Sequence, residues 1–334
     1  MNLVYTTNES FCAKVAASIC SVFENNRQEE EIIVYIIGQG LLQESCEHFR
    51  FLGKMYNREI QIIYLNDVYS YFDFKFDTGG WNPIVLARLV LDKLLPTCVN
   101  KVLYLDGDTI NLEALTDLWN VDMQDKVIGA CIEATVDKKH REEIGMGKMP
   151  YVNAGVLLID LEKWRECEIG NRILRYYNEN YENLTANDQD AINGALKGRI
   201  LFLDPKYNYY NIYWFYPYKL LRKLMGQSFY YSFETVSQAS KHPAIIHYLG
   251  EERPWRKGNR HKYRDEYEKY LQKTPWKNEK MEEGWELYFV FWNIFNVLIR
   301  PFPELRYQII NHLIPVMMKW RSKQLKKKKA ITKG

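Results

Sequence analysis

The first part of the chain alternates short apolar runs with stretches of helical periodicity. Residues 2–7, 32–37 and 60–65 are runs of β-branched, aromatic and aliphatic side chains, which are typical of buried strands. Between them apolar residues recur every three or four positions, and we predict helices from residue 11 and over residues 41–56. This alternation favours right-handed crossovers onto one sheet with helices on both faces, and therefore an α/β fold.

A further buried strand, residues 102–105, ends at the sequence Asp106-Gly107-Asp108. We expect Gly107 to let the backbone turn sharply, so that both carboxylates approach one ion from the carboxyl end of the strand. A carboxylate pair beside a diphosphate suits Mg²⁺ or Mn²⁺. The alternative interpretation is an ordinary turn, because Asp and Gly are common turn residues.

Two other segments offer polar groups beside apolar ones. Arg88 lies among the inward positions of a predicted helix over residues 83–95, either as a surface side chain or as a cation that reaches a sugar or Asp108. Asn153 and Ala154 precede a predicted strand over residues 156–159, where small residues permit close approach of a ligand and the amide can bond hydroxyls. These residues are also compatible with a simple turn.

Later in the chain, two more motifs contain candidate site residues. Asp188 and Gln189 open a predicted helix, so they either cap it or contact a sugar. His247 ends a predicted strand before Gly250 and Arg253; its imidazole can join two carboxylates on Mn²⁺, while the arginine can pair with a phosphate. A lone histidine is more often structural, and that alternative stays open.

The remaining pattern predicts the rest of the catalytic unit. We predict strands over residues 127–132 and 200–203, a helix over residues 161–179, a charged lid or acceptor-contacting flap over residues 136–148 and an aromatic loop over residues 207–218.

Composition narrows the function classes. With 334 residues and 47% hydrophobic content, the chain can form a sizeable core. Its six cysteines are scattered without closely spaced pairs, which argues against zinc and disulfides and favours a cytoplasmic protein without a leader segment. No glycine-rich phosphate loop is present, and no basic groove interleaved with aromatics suggests nucleic acid. The phosphates of a nucleotide would need another anchor, which a metal ion on Asp106 and Asp108 supplies.

The carboxyl-terminal residues form a distinct arm. The formal net charge is +3, but residues 319–333 contain eight Lys or Arg and no acid, so the remainder carries −5. Residues 287–299 are apolar except for Asn293 and Asn296 and are shorter than the roughly 20 residues that span a bilayer. We predict either a helix packed on the domain or a helix in the interface of an anionic membrane.

These motifs together resemble glycosyltransferase family 8, which includes bacterial lipopolysaccharide galactosyl- and glucosyltransferases and glycogenin. The resemblance rests on four spaced segments and covers about the first 260 residues. In order, they are Leu103-Tyr104-Leu105-Asp106-Gly107-Asp108, then Tyr151 to Asp160 with Trp164, then Asn187-Asp188-Gln189-Asp190, and finally His247 to Trp255.

The resemblance implies a Rossmann-like GT-A glycosyltransferase fold with a mixed central sheet, a UDP-hexose donor and Mn²⁺, with Mg²⁺ as an alternative ion. It implies a catalytic domain over residues 1–262 and a helical, basic arm over residues 263–334. The metal ligands of the family match Asp106, Asp108 and His247. Its substrate-binding positions match Thr7, Asn8, Glu9, Ser10 and Phe11 for uridine, Arg88, Asn153, Ala154, Asp188 and Gln189 for the donor sugar, and Gly107, Gly250 and Arg253 near the diphosphate.

Two residues depart from the family pattern. Asn8 stands where the family often has an acid, and Arg253 stands where it has lysine before Pro-Trp. Arginine keeps the charge, so diphosphate binding should survive, whereas Asn8 changes the contacts available to base or ribose.

The resulting hypothesis is retaining transfer of glucose or galactose to a cell-surface glycan or lipid-linked acceptor. The metal and Arg253 would stabilise the leaving UDP, the acceptor would attack on the departing side, and Gln189 would provide polar stabilisation opposite, with Asp188 and Asn153 beside it. The alternatives are a sugar-nucleotide pyrophosphorylase or a sugar-nucleotide-binding protein without transfer activity. We expect a cytoplasmic enzyme, with the arm as the route to the inner face of the plasma membrane.

Overall fold

A sheet of seven strands with the order β3-β2-β1-β4-β7-β6-β8 forms the centre of the fold, and β5 and β9 form a separate antiparallel pair. These features come from a computed structural model that describes residues 1–72 and 82–313. The strands are β1 (Asn2–Asn8), β2 (Ile33–Gln39), β3 (Glu59–Tyr64), β4 (Lys101–Leu105), β5 (Thr109–Asn111), β6 (Ile128–Ile132), β7 (Val152–Asp160), β8 (Ile200–Phe202) and β9 (Ile245–His247).

The sheet is mixed. Strands β1 to β4 run parallel to one another, whereas β7 pairs antiparallel with both β4 and β6. Because β1, β2 and β4 are buried on both faces, their side chains alternate between two cores: Leu3 and Tyr5 face one, and Val4 faces the other. The predicted α/β fold with a mixed sheet is therefore confirmed.

Helices cover both faces of the sheet, as the alternating pattern predicted. The α-helices are α1 (Cys12–Asn25), α2 (Gln43–Met55), α3 (Leu91–Leu94), α4 (Thr116–Trp119), α5 (Lys138–Glu143), α6 (Leu161–Glu166), α7 (Ile169–Asn180), α8 (Asp188–Ala195), α9 (Ile212–Phe215), α10 (Tyr218–Met225), α11 (Phe233–Lys241), α12 (Arg264–Leu271) and α13 (Glu286–Ile299). The 3-10 helices are Glu9–Phe11, Val68–Tyr71, Pro83–Val90, Tyr181–Asn183 and Pro205–Asn208. Residues 303–313 are also helical.

Two predicted helices differ from the structure. Residues 83–95 form a 3-10 helix and one α-turn, because the side chains from Leu86 to Leu91 are all buried rather than lying on one inward face. The helix predicted over residues 161–179 is divided at Glu168, whose φ of 49° places it in the left-handed region that ends a helix.

The two segments predicted as loops contain ordered structure. The flap over residues 136–148 includes α5, which Asp137 caps by accepting a hydrogen bond from the His140 backbone N–H at 2.7 Å. The aromatic loop over residues 207–218 includes α9, and Tyr209 and Tyr210 in it are buried in the core. Burial of this loop brings its side chains beneath the candidate site.

The arm begins as part of the same packed body. Tyr267 and Tyr270 of α12 are buried in the core that contains α1, and the boundary at residue 262 stays a prediction. In the described ranges, no helix is both long enough and apolar enough to cross a membrane. The basic segment 319–333 lies outside the described residues.

Candidate active site

Two pieces of sheet bring the three predicted metal ligands together. Asp106 follows β4 directly, and its backbone N–H donates to the Gly155 carbonyl of β7 at 2.8 Å. Asp108 immediately precedes β5, where Thr109 pairs with His247 of β9. The β5–β9 pairing therefore places a distant histidine beside both carboxylates.

The three side chains form a compact cluster that suits a hard divalent cation. One ligand atom from each lies within 4.8 Å of the other two. The His247 Nε2 atom lies 3.2 Å from Asp108 Oδ1 and 3.9 Å from Asp106 Oδ2. This nitrogen is buried and makes no regular hydrogen bond in the part of the chain that is described. A buried imidazole nitrogen without a hydrogen-bond partner among the described residues, facing two carboxylates, fits a metal ligand set.

A chain of hydrogen bonds determines which nitrogen of His247 faces the carboxylates. The Gly155 backbone N–H donates to Asn153 Oδ1 at 2.9 Å, so that atom is the amide oxygen. Asn208 Nδ2 donates to the same oxygen at 2.8 Å, which turns its own Oδ1 toward His247 Nδ1 at 2.9 Å. The Nδ1–H group donates to this oxygen, so Nε2 is the nitrogen that faces the cluster.

Position 155 requires glycine because the His247 imidazole occupies the space that a Cβ would fill. A Cβ at this position would lie 2.1 Å from His247 Cε1 and 3.0 Å from Asp106 Oδ2. Gly107 is also required by packing: its Cβ would lie 2.5 Å from Val15 Cγ2 and 3.0 Å from Phe11 Cδ1. Residues 107 and 108 form the sharp turn that was expected, but the φ of Gly107 is not positive, so close packing rather than backbone conformation explains the glycine.

Arg253 reaches the cluster from the loop after β9. Its Nη2 lies 3.2 Å from Asp108 Oδ2, and its guanidinium lies 5.9 Å from the Phe11 ring and 5.5 Å from the Trp255 ring. Burial would raise the pKa of Asp108, but His247 and Arg253 outweigh it and lower that pKa. Asp108 is therefore a carboxylate, and a basic group for an anionic ligand lies beside it.

Arg88 is buried inside the site. Its Nε lies 2.6 Å from Asp188 Oδ2, its Nη1 lies 3.3 Å from Asp106 Oδ1, and Nη1 also donates to the Ala154 carbonyl at 2.6 Å. Burial would lower the pKa of Arg88, but the two carboxylates raise it well above its ordinary value. The predicted contact with Asp108 is wrong: Asp106 and Asp188 hold this side chain, because Asp108 faces the opposite side toward β9.

Gln189 lies in a second hydrogen-bond network at the start of α8. Its Oε1 accepts from the Ala154 N–H at 3.0 Å, and its Nε2 donates to the Tyr151 hydroxyl at 3.1 Å. That hydroxyl donates in turn to Asp190 Oδ1 at 2.6 Å, which also lies 2.9 Å from His140 Nε2. Gln189 is thus held in one orientation, and the flap helix α5 is tied to the same network.

The predicted uridine segment, from Thr7 to Phe11, lies at the carboxyl end of β1. Phe11 packs edge-on against Trp255 with ring centroids 5.6 Å apart. The Glu9 carboxylate accepts from the Leu42 N–H at 2.8 Å and from the Ser45 hydroxyl at 2.7 Å, so it holds the start of α2. Asn8 accepts from the Ser10 hydroxyl at 2.9 Å, and Thr7 is buried.

The predicted diphosphate segment is held by a bond within it. Gly250 has a φ of 80°, and its carbonyl accepts from Arg253 Nε at 3.0 Å.

The sequence analysis missed three residues that contact the predicted site residues. Asn208 bonds His247, Tyr104 donates to Asp106 Oδ1 at 2.9 Å, and Glu133 accepts from Asn153 Nδ2 at 2.9 Å. Burial raises the pKa of Glu133, so its charged form is costly there. Glu133 directly follows β6 at the same sheet edge, so its place after a predicted strand could have identified it from the sequence. Asn208 is a single amide within an aromatic run, and nothing in the sequence pattern distinguishes it.

The fold and the ligand cluster define a class of protein: a GT-A type enzyme with a metal-suited site at the carboxyl edge of its sheet. The family model for glycosyl transferase family 8 matches residues 2–258. The chain belongs to glycosyltransferase family 8 and is a glycosyltransferase, with the predicted family assignment confirmed.

Individual relatives agree with this assignment. The chain is 24% identical to general stress protein A of Bacillus subtilis over 83% of this chain and 94% of that protein. It is 23% identical to lipopolysaccharide 1,2-glucosyltransferase of Escherichia coli over 85% of this chain and 81% of that protein. The crystal structure of the galactosyltransferase LgtC with donor and acceptor sugar analogues superposes with a TM-score of 0.68 at 23% identity, covering 85% of this chain and 99% of LgtC.

Proposed function

We propose that this protein is a retaining, Mn²⁺-dependent hexosyltransferase that moves glucose or galactose from a UDP-sugar to a cell-surface glycan or lipid-linked acceptor. The observation that carries the proposal is the cluster of Asp106, Asp108 and His247. A divalent ion there, with Mg²⁺ as the alternative to Mn²⁺, would screen the charge of a diphosphate as it departs. The lipopolysaccharide glucosyl- and galactosyltransferases among the relatives support the choice of sugar and acceptor class.

The proposed donor site extends from the cluster along the carboxyl edge of the sheet. We assign the diphosphate to Arg253, which lies 3.2 Å from Asp108, and to the adjoining Gly107 and Gly250 segments. We assign uridine to the Thr7–Phe11 segment, where Phe11 supplies an aromatic face. Donor-sugar contacts are assigned to a group around the Arg88 ion pairs: Arg88, Asn153, Ala154, Asp188 and Gln189.

These positions suit transfer with retention of configuration. Gln189 is neutral and is held by Ala154 and Tyr151, so we assign it to polar stabilisation of the sugar face opposite the diphosphate. The acceptor hydroxyl would then enter from the side on which UDP leaves and transfer its proton to the departing phosphate. Neither Asp188 nor Asn153 is free to attack, because Arg88 and the Asn208 network hold them; we assign both to positioning.

A cytoplasmic enzyme that attaches to the inner face of the plasma membrane completes the proposal. Helix α13 packs on the domain through Phe289 and Ile299, yet exposes most of Leu287, Phe291 and Val297. Such a face, in a chain whose residues 319–333 are strongly basic, suits an anionic membrane surface, where a lipid-linked acceptor would be found.

The test compares Asp106→Asn with the exposed control Asp125→Asn. Mn²⁺ titration by calorimetry and hydrolysis of UDP-glucose and UDP-galactose should both fail in the first variant and persist in the second, because only Asp106 belongs to the cluster. The anomeric configuration of the transferred sugar, read by NMR, checks retention. Unchanged Mn²⁺ binding in Asp106→Asn would contradict the assignment.

The same assays separate the alternatives. A pyrophosphorylase would convert UDP-sugar and pyrophosphate to UTP and sugar phosphate. A binding protein without transfer activity would bind UDP-sugar with Mn²⁺ but neither hydrolyse nor transfer it.

A further inference from the structure

A cleft of about 610 Å³ lies between α13 and the segment that leads into α12. It shares no residue with the candidate active site. One wall is the chain from Gly258 to Arg264, and the other is the face of α13. The lining residues are Gly258, Asn259, Arg260, Arg264, Glu286, Val290, Asn293 and Ile294.

The wall from Gly258 to Arg264 is positively charged. Arg260 is exposed and has no ion pair or hydrogen bond among residues 1–72 and 82–313. Arg264 is engaged: its Nε forms an ion pair with Glu268 at 2.7 Å, its Nη1 donates to the Asn259 carbonyl at 3.1 Å, and its Nη2 donates to Met281 Sδ at 3.5 Å. An exposed guanidinium without a partner at the rim of a cleft is suited to bind a phosphate.

The acid in the lining, Glu286, forms no ion pair with Arg260 within the described residues. Glu286 accepts from the Gly284 backbone N–H at 2.9 Å and lies 3.5 Å from Lys257 Nζ. Asn259 is buried, and its Nδ2 has no acceptor in the described part of the chain. The cleft therefore combines the cation of Arg260, which is free across the described ranges, and an amide donor with Glu286, an acid that shares Lys257 with Glu283.

The opposite wall contributes two apolar side chains, Val290 and Ile294, beside the polar Glu286 and Asn293, and it is continuous with an exposed apolar surface. Val290 and Ile294, four residues apart and so on one helix face, are each 52% exposed. Beyond them Phe291 is 69% exposed and Leu298 is 70% exposed. Soluble surfaces rarely leave such apolar area uncovered, and a helix of this kind typically lies in the headgroup region of a bilayer.

We propose that this cleft binds the phosphate headgroup of an anionic phospholipid while the apolar face of α13 enters the acyl boundary. Arg260 receives the phosphate, and Val290 and Ile294 contact the upper acyl chain. One phospholipid presents the same sequence of charge and apolar surface. The described chain ends at residue 313, six residues before the eight cations of segment 319–333 begin. That segment adds general attraction to anionic lipid, whereas the cleft adds a defined headgroup contact.

This inference rests on the proposed membrane attachment and names the lipid that the attachment recognises. The experiment uses the full-length protein and flotation with vesicles of phosphatidylcholine alone or mixed with phosphatidylglycerol. Arg260→Ala should weaken binding to the anionic vesicles about fivefold, the effect expected for one cation at the membrane surface. Arg172→Ala, which removes another exposed arginine, on α7, should leave binding within about twofold of the wild type.

A second variant tests the apolar wall. Ile294→Gln should also weaken flotation with anionic vesicles, while Mn²⁺-dependent hydrolysis of soluble UDP-glucose stays unchanged in every variant. Equal flotation of wild type and Arg260→Ala, or an equal loss in Arg172→Ala, would overturn the proposal. Inorganic phosphate that binds wild type but not Arg260→Ala, together with unchanged flotation, would assign the cleft to a free anion instead.

The outcomes distinguish this inference from the proposed enzyme activity. If wild type floats and Arg260→Ala does not, but neither hydrolyses a UDP-sugar, the lipid site stands and the transfer proposal fails. If hydrolysis proceeds and flotation is independent of Arg260, the lipid site fails alone.

Discussion

A single methyl group at Gly155 should remove His247 from the candidate metal site. An alanine Cβ there would lie 2.1 Å from His247 Cε1 and 2.7 Å from Nδ1, well inside van der Waals contact. Neither Gly155 nor His247 can move freely to relieve this contact. Gly155 belongs to β7, which is paired on both edges, and the imidazole is 1% exposed and bonded to Asn208 at 2.9 Å.

The expected loss of Mn²⁺ affinity follows from this geometry. The ring must retreat by about 1 Å or more to restore contact distance, whereas protein–metal distances tolerate about 0.2 Å. Disturbing groups that orient a ligand costs about 10- to 100-fold in metal affinity, and displacing the ligand itself should reach the upper limit. We expect Mn²⁺ affinity to fall about 100-fold in Gly155→Ala, or about 2.7 kcal/mol. Overpacking should cost a further 1–3 kcal/mol, roughly, in the free energy of unfolding.

The assay is calorimetric titration of Mn²⁺ without sugar nucleotide, alongside urea unfolding of the same sample. Gly129→Ala on β6 is the matched control, because its Cβ would meet only the flexible end of Leu203, at 3.0 Å. That variant should bind Mn²⁺ as the wild type does. If Gly155→Ala folds and binds Mn²⁺ within about threefold of the wild type, His247 is not a ligand and the reasoning is refuted.

Three further predictions follow from the networks around the cluster. Asn208→Leu should weaken Mn²⁺ binding about 10- to 100-fold and change the ¹⁵N NMR pattern of the His247 tautomer, whereas Asn208→Asp, which keeps the acceptor, should preserve that pattern. Arg88→Met should lower the free energy of unfolding by about 3 kcal/mol or more in urea titrations, since Asp106 and Asp188 lose their shared cation; adding Asp188→Asn should restore part of the loss. The hydrogen bond that the His140 imidazole donates to Asp190 raises the pKa of His140 above its ordinary 6.5. The stabilisation of the fold by this bond is therefore complete below pH 6.5 and is lost as the pH rises through the folded-state pKa. His140→Gln should flatten this fall in thermal unfolding measurements, and His242→Gln, at an exposed histidine, should not.

Local sequence patterns determined much of the architecture. The inner strands of the central sheet were predicted from runs of apolar residues, because burial on both faces requires such runs whatever their neighbours are. The edge strand β3 showed the same run although its residues are at most half-buried. Asp106 and Asp108 were found for the same local reason, since they directly follow one of those strands. The helix at residues 83–95 was mispredicted because periodicity assumes one buried face, and Leu86 to Leu91 are buried together.

Contacts between distant segments were decided only by the tertiary structure. His247 reaches Asp108 because β5 pairs with β9, a register that depends on side chains from both strands and on the whole sheet beneath them. Arg88 binds Asp106 and Asp188 rather than Asp108, and Asn208 orients the imidazole, because burial of charged and polar groups requires whichever partners the packed chain brings within reach. Residue types and spacing indicated which groups were available for the site, while the three-dimensional packing selected the atoms that meet.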